Sequence, residues 1–276
     1  MVILGSGTPI PDPRASGPSV AVVVNGQAYV FDAGPGVVRQ AEAAAEKNGI
    51  AALRAPNLTR LFITHLHSDH TLGYPDIILT PWVVGRLQPL EVYGPKGIAS
   101  MTEYIKLAYA EDIRIRTTGL EQLSERGLRV NVHEISPGQI YRDENVTIRA
   151  FAVPHGSWPQ AFGFAIDASG RSIVISGDTA PSAAIAEFCH ACDVLVHEVY
   201  SDERFHARFS PEAGRYHALS HTSTKELAEI ASKAKPKLLV LYHQLYFANP
   251  DEVDLVKEIK QGYSGAVVSG RDLGVY

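Results

Sequence analysis

Five apolar runs in this chain end in histidine, aspartate or glutamate, and no other feature limits the possible folds as strongly. The densest is "LFITHLHSDH", residues 61–70, in which three histidines and an aspartate follow a strand-like segment. Strands buried between helices are apolar, and ligand-binding residues gather where loops leave such strands. Five such ends predict one shared site in an α/β protein. The residues concerned are His65, His67, Asp69, His70, His155, Asp178, His197, Glu198 and His243.

The remaining sequence alternates between short strands and helices. Residues 2–5, 19–24 and 28–32 have strand patterns, and Asn25-Gly26 is a strong hairpin signal between the last two. No repeat or linker interrupts the alternation. We therefore expect a single α/β domain spanning residues 1–276. Helices are expected at 36–49, 97–111, 181–190, 223–234 and 250–261, and long loops at 7–19 and 207–221.

The composition excludes several classes of protein. The chain has 45% hydrophobic and 20% charged residues, as globular enzymes do, and its net charge of -5 indicates no broad surface for nucleic acid. No segment approaches the roughly 18 apolar residues of a membrane-spanning helix. We expect a cytoplasmic protein, or an exported one if an upstream signal segment has been removed.

The two cysteines, Cys189 and Cys192, follow a short helical pattern. We expect them to pack at the end of that helix. A redox pair and half of a zinc site are the alternatives, but neither the second ligand pair of a zinc site nor a thioredoxin-like context is evident.

The spacing in residues 65–70 has a direct chemical interpretation. Residues two apart in an extended segment face the same way, so His65 and His67 can bind one metal ion. Asp69 and His70 follow on the turn and can reach a second ion. Each residue alone has an ordinary explanation, and Asp178 could simply cap a helix. The dense cluster nevertheless favours metal, because these polar groups would otherwise be buried without compensation.

The order of these motifs resembles the metallo-β-lactamase superfamily. "LGSGTPIP", "FDAGPG", "FITHLHSDHTLGYPDI", "SGDT", "VLVHE" and "SHTS" are similar to its ribonuclease Z and arylsulfatase-like branch. The resemblance implies an αββα sandwich, with two mixed β-sheets flanked by helices, and two divalent metal ions. Zinc is preferred, with manganese or iron as alternatives. It further implies that one ion is held by His65, His67 and His155, the other by Asp69, His70 and His243, and that Asp178 bridges both.

The resemblance also implies how the site works. Two ions activate a shared hydroxide for hydrolysis, and Asp69 orients it as well as binding metal. His221 with Glu198 resembles the pair that protonates the leaving group in ribonuclease Z-like enzymes. The alternative is that His221 only caps a helix near Thr222, while Glu198 orients a metal ligand.

Departures from the family pattern narrow the expected substrate. Ribonuclease Z has an inserted arm that grips tRNA, but residues 156–177 here hold only two strands and a turn. Gln244 and the two residues after it replace a serine-rich segment, and Ala165 stands where a basic residue is typical. We therefore expect a small-molecule phosphodiester or aryl sulfate ester, with nucleic acid disfavoured. Trp158, Phe162 and Tyr246 are candidate substrate walls, and Arg14 and Arg271 candidate anion contacts.

Other functions remain open at this stage. The same metal pair could cleave a lactone, β-lactam or thioester, process tRNA 3′ ends, or serve as an iron-dependent sulfur dioxygenase. The metals could also support the fold alone. His67 argues against a di-iron redox site, in which glutamate tends to occupy this position. A homodimer is compatible with the resemblance, since relatives commonly dimerise.

Overall fold

The computed structural model describes residues 1–276, which form two compact units. Unit 1 consists of Met1–Gly5, Pro9–Ile135 and Asp272–Tyr276, and unit 2 of Ser6–Thr8 and Ser136–Arg271. Each unit contains one mixed β-sheet together with helices. The expectation of an α/β protein with two mixed sheets flanked by helices is confirmed. That residues 1–276 form a single domain stays a prediction.

The sheet of unit 1 has six strands in chain order. The first three are antiparallel and the last three join in parallel. Asn25 and Gly26, with φ of 49° and 77°, form the predicted tight turn between the second and third strands. These strands are β1 (Val2–Gly5), β2 (Ser19–Val24), β3 (Gln27–Phe31), β4 (Arg60–Phe62), β5 (Leu90–Gly94) and β6 (Val130–Glu134).

Helices of unit 1 pack on an aliphatic core. The apolar positions of the first helix recur at helical spacing, so that Val37, Val38, Ala41, Ala44 and Ala45 are buried. Gly36, with φ of 93°, precedes that helix. The helices are α1 (Val37–Lys47), α2 (Ser68–Thr71), α3 (Tyr74–Val83), α4 (Ile98–Ala108), α5 (Ala110–Thr118) and α6 (Glu125–Leu128), with short 3-10 turns at Ala51–Leu53 and Ala55–Asn57.

Arg86 ties several of these elements together. Its side chain is buried and donates hydrogen bonds to four backbone carbonyls, those of Leu58, Ile77, Ile78 and Gly127. No carboxylate compensates its charge in these contacts, and burial lowers its pKa to about 10. The guanidinium therefore serves as a multi-point donor to carbonyls of α3, α6 and the segment before β4.

The sheet of unit 2 has seven strands in the order β13-β12-β11-β10-β9-β8-β7. The strands from β7 to β10 are antiparallel, and those from β10 to β13 are parallel. They are β7 (Gly138–Arg142), β8 (Val146–Ala152), β9 (Phe162–Ala168), β10 (Arg171–Ile175), β11 (Val194–Tyr200), β12 (Leu238–Leu245) and β13 (Val267–Ser269). The helices are α7 (Ala183–Cys189), α8 (Asp202–Arg208), α9 (Pro211–Ser220), α10 (Thr224–Ala234) and α11 (Leu255–Lys260), with a 3-10 turn at Pro250–Glu252.

Two secondary-structure expectations in unit 2 were wrong. The expected loop at 207–221 is largely helix α9, which Ser210 caps through its side chain while Pro211 occupies the first turn. Capping signals in this polar stretch outweighed its weak apolar pattern. The expected helix at 250–261 is interrupted, because the 3-10 turn ends before Asp254 caps α11.

Cys189 and Cys192 are both buried in the core of unit 2, as expected, but they are also joined in a disulfide. The intervening His190 and Ala191 have φ of 36° and 66°, which lets the chain turn back within four residues. The sequence pattern had favoured packing alone. No helix is long and apolar enough to cross a membrane.

Candidate metal centre

The H-x-H-x-D-H motif lies in unit 1, where His65 and His67 stand between β4 and α2 while Asp69 and His70 lie within α2. His65 and His70 are fully buried, Asp69 is nearly buried and His67 is half-buried. The ligand atoms of His65 and His67 lie within 4.8 Å of each other, and so do those of Asp69 and His70. The ring centroids of His65 and His70 are 4.2 Å apart. All four ligands predicted in unit 1 are thus grouped at one strand end.

Asp32 organises this group, a role that was not predicted from the sequence. Its buried carboxylate accepts hydrogen bonds from the backbone and hydroxyl of Thr64, at 2.8 and 2.9 Å, and from Nδ1 of His70 at 2.8 Å. The bond to Nδ1 leaves Nε2 of His70 as the ligand nitrogen, as carboxylate partners of metal-bound histidines do. The available signal was an aspartate directly after β3 in "FDAGPG".

The same hydrogen-bond network sets the tautomer of His65. Thr64 donates its hydroxyl proton to Asp32, so the contact of 3.0 Å between the Thr64 oxygen and His65 Nδ1 assigns the proton to Nδ1. Nε2 of His65 therefore has a lone pair and lies 2.9 Å from Nδ1 of His67. Two imidazole nitrogens this close require a proton or a cation between them. These donors fit a borderline-soft divalent ion such as zinc.

Unit 2 supplies the other predicted ligands from three strand ends. His155 follows β8, Asp178 follows β10, and His243 lies near the end of β12. β12 would direct His243 to the same face as Leu241, toward the apolar core. A register shift opposite Glu198 and Val199 leaves His243 as the extra residue, with φ of 43°. This bulge re-aims the side chain, a role common for bulges beside functional sites.

The three ligands of unit 2 lie close together. Nε2 of His243 is 3.3 Å from Oδ2 of Asp178. The ligand atoms of His155 and Asp178 are within 4.8 Å of each other. Nδ1 of His155 donates to the carbonyl of Ser220 at 2.7 Å, so its Nε2 is the nitrogen left for a ligand role. All three side chains are buried.

His221 and Glu198 form a pair beside these ligands. Nδ1 of His221 lies 3.4 Å from Oε2 of Glu198 and 3.9 Å from Asp178. Oε1 of Glu198 accepts hydrogen bonds from the amides of Thr222 and Thr179, at 2.8 and 3.4 Å. Burial, followed by repulsion from Asp178, raises the pKa of Glu198. His221 thus lies beside two buried carboxylates, of which Glu198 is held in place by backbone amides.

The alternative role for His221, as the cap of the next helix, does not match the structure. Ser223 is the cap of α10, where it forms a capping box with Glu226. His221 instead follows the last turn of α9. Its ligand atom also lies within 4.8 Å of those of Asp178 and His243, so it touches the candidate ligand group directly.

The three residues predicted to contact substrate differ in how far they are buried. Phe162 is fully buried in β9, where it pairs with Ala152, so its ring offers no surface to a substrate. The continuous apolar run at residues 161–166 was the sequence signal that both faces of β9 are covered. Tyr246 packs against the core of unit 2 and is partly buried, as is Trp158. The substrate contacts of Tyr246 and Trp158 stay predictions.

The two candidate anion contacts also differ in their surroundings. Arg14 forms an ion pair with Asp12 at 3.0 Å, which already engages its charge. Arg271 is exposed, and its contact with an anionic group of the substrate stays a prediction.

The fold and the ligand set together define the class of protein. Residues 27–244 match the β-lactamase superfamily domain, and the chain belongs to this superfamily. Its histidine and aspartate cluster is of the kind that binds divalent metal ions in metal-dependent hydrolases.

The more specific similarity is to proteins named Ribonuclease Z. One, from Mycobacterium bovis (strain BCG / Pasteur 1173P2), is 30% identical over 277 residues, which cover 99% of this chain and 96% of the relative. Another, from Mycolicibacterium gilvum (strain PYR-GCK), is 32% identical over 257 residues, or 92% of this chain and 87% of the relative. These matches confirm the resemblance stated from the motifs.

Solved structures agree on the fold. The short form of human tRNase Z has a TM-score of 0.73 at 24% identity, covering 99% of this chain and 97% of that chain. The metallo-β-lactamase fold protein YhfI from Bacillus subtilis has a TM-score of 0.72 at 18% identity, covering 98% and 96%. The predicted fold is therefore confirmed as the metallo-β-lactamase fold.

Proposed function

We propose that this protein is a dinuclear metal-dependent phosphodiesterase that cleaves RNA, with the 3′ region of tRNA precursors as its substrate. As the resemblance implies, His65, His67 and His155 would hold one zinc ion, and Asp69, His70 and His243 would hold the other, with Asp178 as a ligand of both. The hydrogen bonds that place the ring proton of His65, His70 and His155 on Nδ1 support these assignments, because Nε2 then has the lone pair that binds a metal. The relatives' name, Ribonuclease Z, supports an RNA substrate, and the resemblance stated from the motifs implies the 3′ region of tRNA.

One observation carries the proposed reaction type, namely the buried pairing of His221 with Glu198 beside Asp178. An alkoxide that leaves from a phosphodiester needs a proton, and histidine is the side chain best suited to supply one near neutral pH. Because Nδ1 of His221 faces the two carboxylates, its Nε2 is the nitrogen that remains for the leaving oxygen. The carboxylates stabilise the protonated ring and hold its orientation.

The ions, when bound, lower the pKa of a shared water and stabilise charge on the phosphate oxygens. Asp69 orients the attacking oxygen in addition to its ligand role. Asp32 and Thr64 hold His70 and His65 in the required tautomers. Glu198 is itself fixed by two backbone amides, so His221 does not need to be ordered by the substrate.

The proposed RNA substrate reverses our expectation from the sequence that nucleic acid is disfavoured. That expectation rested on the net charge, on Ala165 and the segment after His243, and above all on the short β9–β10 hairpin, whose turn at Ser169 and Gly170 leaves no room for an inserted arm. The relative from M. bovis aligns over 96% of its own length, so chains of this size also have the name Ribonuclease Z. Lack of a long arm is therefore weak evidence against RNA.

A second candidate is hydrolysis of a small-molecule phosphodiester or an aryl sulfate ester. The same short hairpin favours it, because a substrate without a large folded body needs no separate gripping element. The aryl sulfate activity has less support than the phosphodiester activity, since the relatives' names concern RNA.

The test compares a tRNA precursor that has a 3′ extension with bis-p-nitrophenyl phosphate and p-nitrophenyl sulfate. We expect zinc-loaded protein to cut the precursor at one position with a far higher kcat/KM than it shows on either nitrophenyl ester. No cleavage of RNA together with rapid turnover of a nitrophenyl ester would establish the second candidate.

The proton-donor role has its own test. His221→Ala should lower kcat on RNA by about 10²- to 10⁴-fold. It should have little effect on bis-p-nitrophenyl phosphate, because p-nitrophenolate leaves without a proton. His206→Ala, a change at an exposed histidine of α8, is the matched control. Equal losses of kcat on both substrates would show that His221 is not the proton donor.

A further inference from the structure

The last turns of α9 present an exposed apolar surface next to His221. Tyr216 and Leu219, three residues apart on one face of the helix, are 54% and 53% exposed. Gly214, on the opposite face of α9, is buried. An aromatic ring this exposed, at the rim of a candidate active site, offers a flat surface to a ligand.

The Tyr216 ring contacts the proposed proton donor directly. Its centroid is 6.1 Å from that of His221, and the two ring planes are inclined at 77°. His221 in turn lies 5.3 Å from the ring of His155 and 5.5 Å from that of His243. Whatever binds on the Tyr216 ring is therefore adjacent to the group that serves the leaving oxygen.

The support beneath Tyr216 is well packed. His217 contacts the rings of Tyr216, Phe209 and Phe247, with centroids 5.2, 5.4 and 4.8 Å away. A Cβ on Gly214 would come within 2.4 Å of the Phe205 ring, so glycine is required there for this close approach.

The end of α9 is also fixed from the side of the metal ligands. The carbonyl of Leu219 accepts a hydrogen bond from the amide of Gly156 at 3.0 Å, in the loop directly after His155. The position of the Tyr216 backbone is thus coupled both to the aromatic cluster and to a proposed ligand.

We propose that Tyr216, with Leu219 beside it, is a stacking platform for the base of the nucleoside that leaves during cleavage. The inference rests on the proposed function, and it names how the leaving side of the RNA is recognised. Every base has an aromatic face, so stacking tolerates any sequence. The platform therefore holds the leaving nucleoside so that its oxygen meets His221, without selecting one base.

The experiment uses full-length zinc-loaded protein and three RNAs of the same sequence. One RNA is intact, one has an abasic nucleotide on the leaving side of the scissile phosphate, and one has it on the other side. The product that retains the phosphate identifies which side leaves. The variants are Tyr216→Ala, Tyr216→Phe and, as a matched control at an exposed tyrosine of α4, Tyr104→Ala.

We expect Tyr216→Ala to lower kcat/KM on intact RNA by about 5- to 150-fold, the range that loss of one base stack produces. Tyr216→Phe and Tyr104→Ala should stay within about twofold of the parent, because the ring face is kept or lies elsewhere. The loss in Tyr216→Ala should vanish on the RNA that is abasic on the leaving side, and persist on the RNA that is abasic on the other side. Zinc content and circular dichroism check that each variant is folded and loaded.

Two results would overturn the inference while leaving the proposed function intact. One is cleavage of intact RNA by Tyr216→Ala at the parent rate. The other is an equal loss on all three RNAs in a folded, zinc-loaded variant, which would mean that Tyr216 supports His221 and does not bind a base. Failure of the parent protein to cleave any RNA would overturn the proposed function itself.

Discussion

Replacement of Asp32 by asparagine tests whether this carboxylate orients a metal ligand. Asp32 is buried and takes three hydrogen bonds, two from Thr64 and one from Nδ1 of His70. Its φ is 59°, a left-handed conformation in which asparagine and aspartate are the best tolerated side chains apart from glycine. The substitution therefore keeps the side-chain shape and the backbone conformation, and it isolates the charge and the hydrogen-bond pattern.

The size of the effect follows from this geometry. The amide offers only one acceptor oxygen, which can serve Thr64 or His70 but not both in the present way. Its NH2 group, if turned toward His70, opposes the proton on Nδ1 and favours the tautomer in which Nε2 cannot bind a metal. Loss of such an orienting partner typically costs 10- to 100-fold in metal affinity, or about 1.4 to 2.7 kcal/mol.

The assay is a competition between the protein and a chromophoric zinc chelator, read by absorbance. We expect Asp32→Asn to bind one of two zinc ions about 10- to 100-fold more weakly while the other is less affected. The control is Asp12→Asn, which removes an exposed carboxylate paired with Arg14. Unchanged affinity for both ions in a folded Asp32→Asn variant would refute the reasoning, because His70 would then not depend on Asp32.

Three further predictions concern stability. Arg86→Met should lower the free energy of unfolding by about 3 kcal/mol or more in urea titrations, because several buried carbonyls lose their hydrogen-bond donor. A loss below about 1 kcal/mol would contradict this role of Arg86. Burial lowers the pKa of His197 to about 4, so between about pH 6.5 and 4 only the unfolded chain takes up a proton on this ring. The free energy of unfolding of metal-free protein should therefore fall by up to about 3 kcal/mol as the pH is lowered through this range. An equally steep pH dependence in His197→Gln would assign the loss to another group. Reduction of the Cys189–Cys192 disulfide should cost about 2 kcal/mol, as its loop is short, and a Cys189→Ala/Cys192→Ala double variant should no longer respond to reductant.

Sequence patterns were sufficient where local chemistry decides the outcome. The strands at 2–5 and 19–24 have the bounds expected, because short apolar runs between turn residues have few alternatives. The Asn25-Gly26 turn follows from the tolerance of both residues for positive φ. Prediction failed for α9, whose formation depends on capping and on packing against Phe247, an aromatic side chain distant in sequence, rather than on its own apolar pattern.

For the candidate site, the sequence by itself determined which residues are able to bind metal, because imidazole and carboxylate groups at strand ends are visible in the chain order. It did not determine how those groups are held. Three features depend on segments far apart in the chain: the bulge that turns His243, the burial of Phe162, and the hydrogen bonds that Asp32 accepts from Thr64 and His70, which select the tautomers of His65 and His70. Such features arise only when the tertiary structure brings these segments into contact, because a side chain's direction and protonation are set by its neighbours in space.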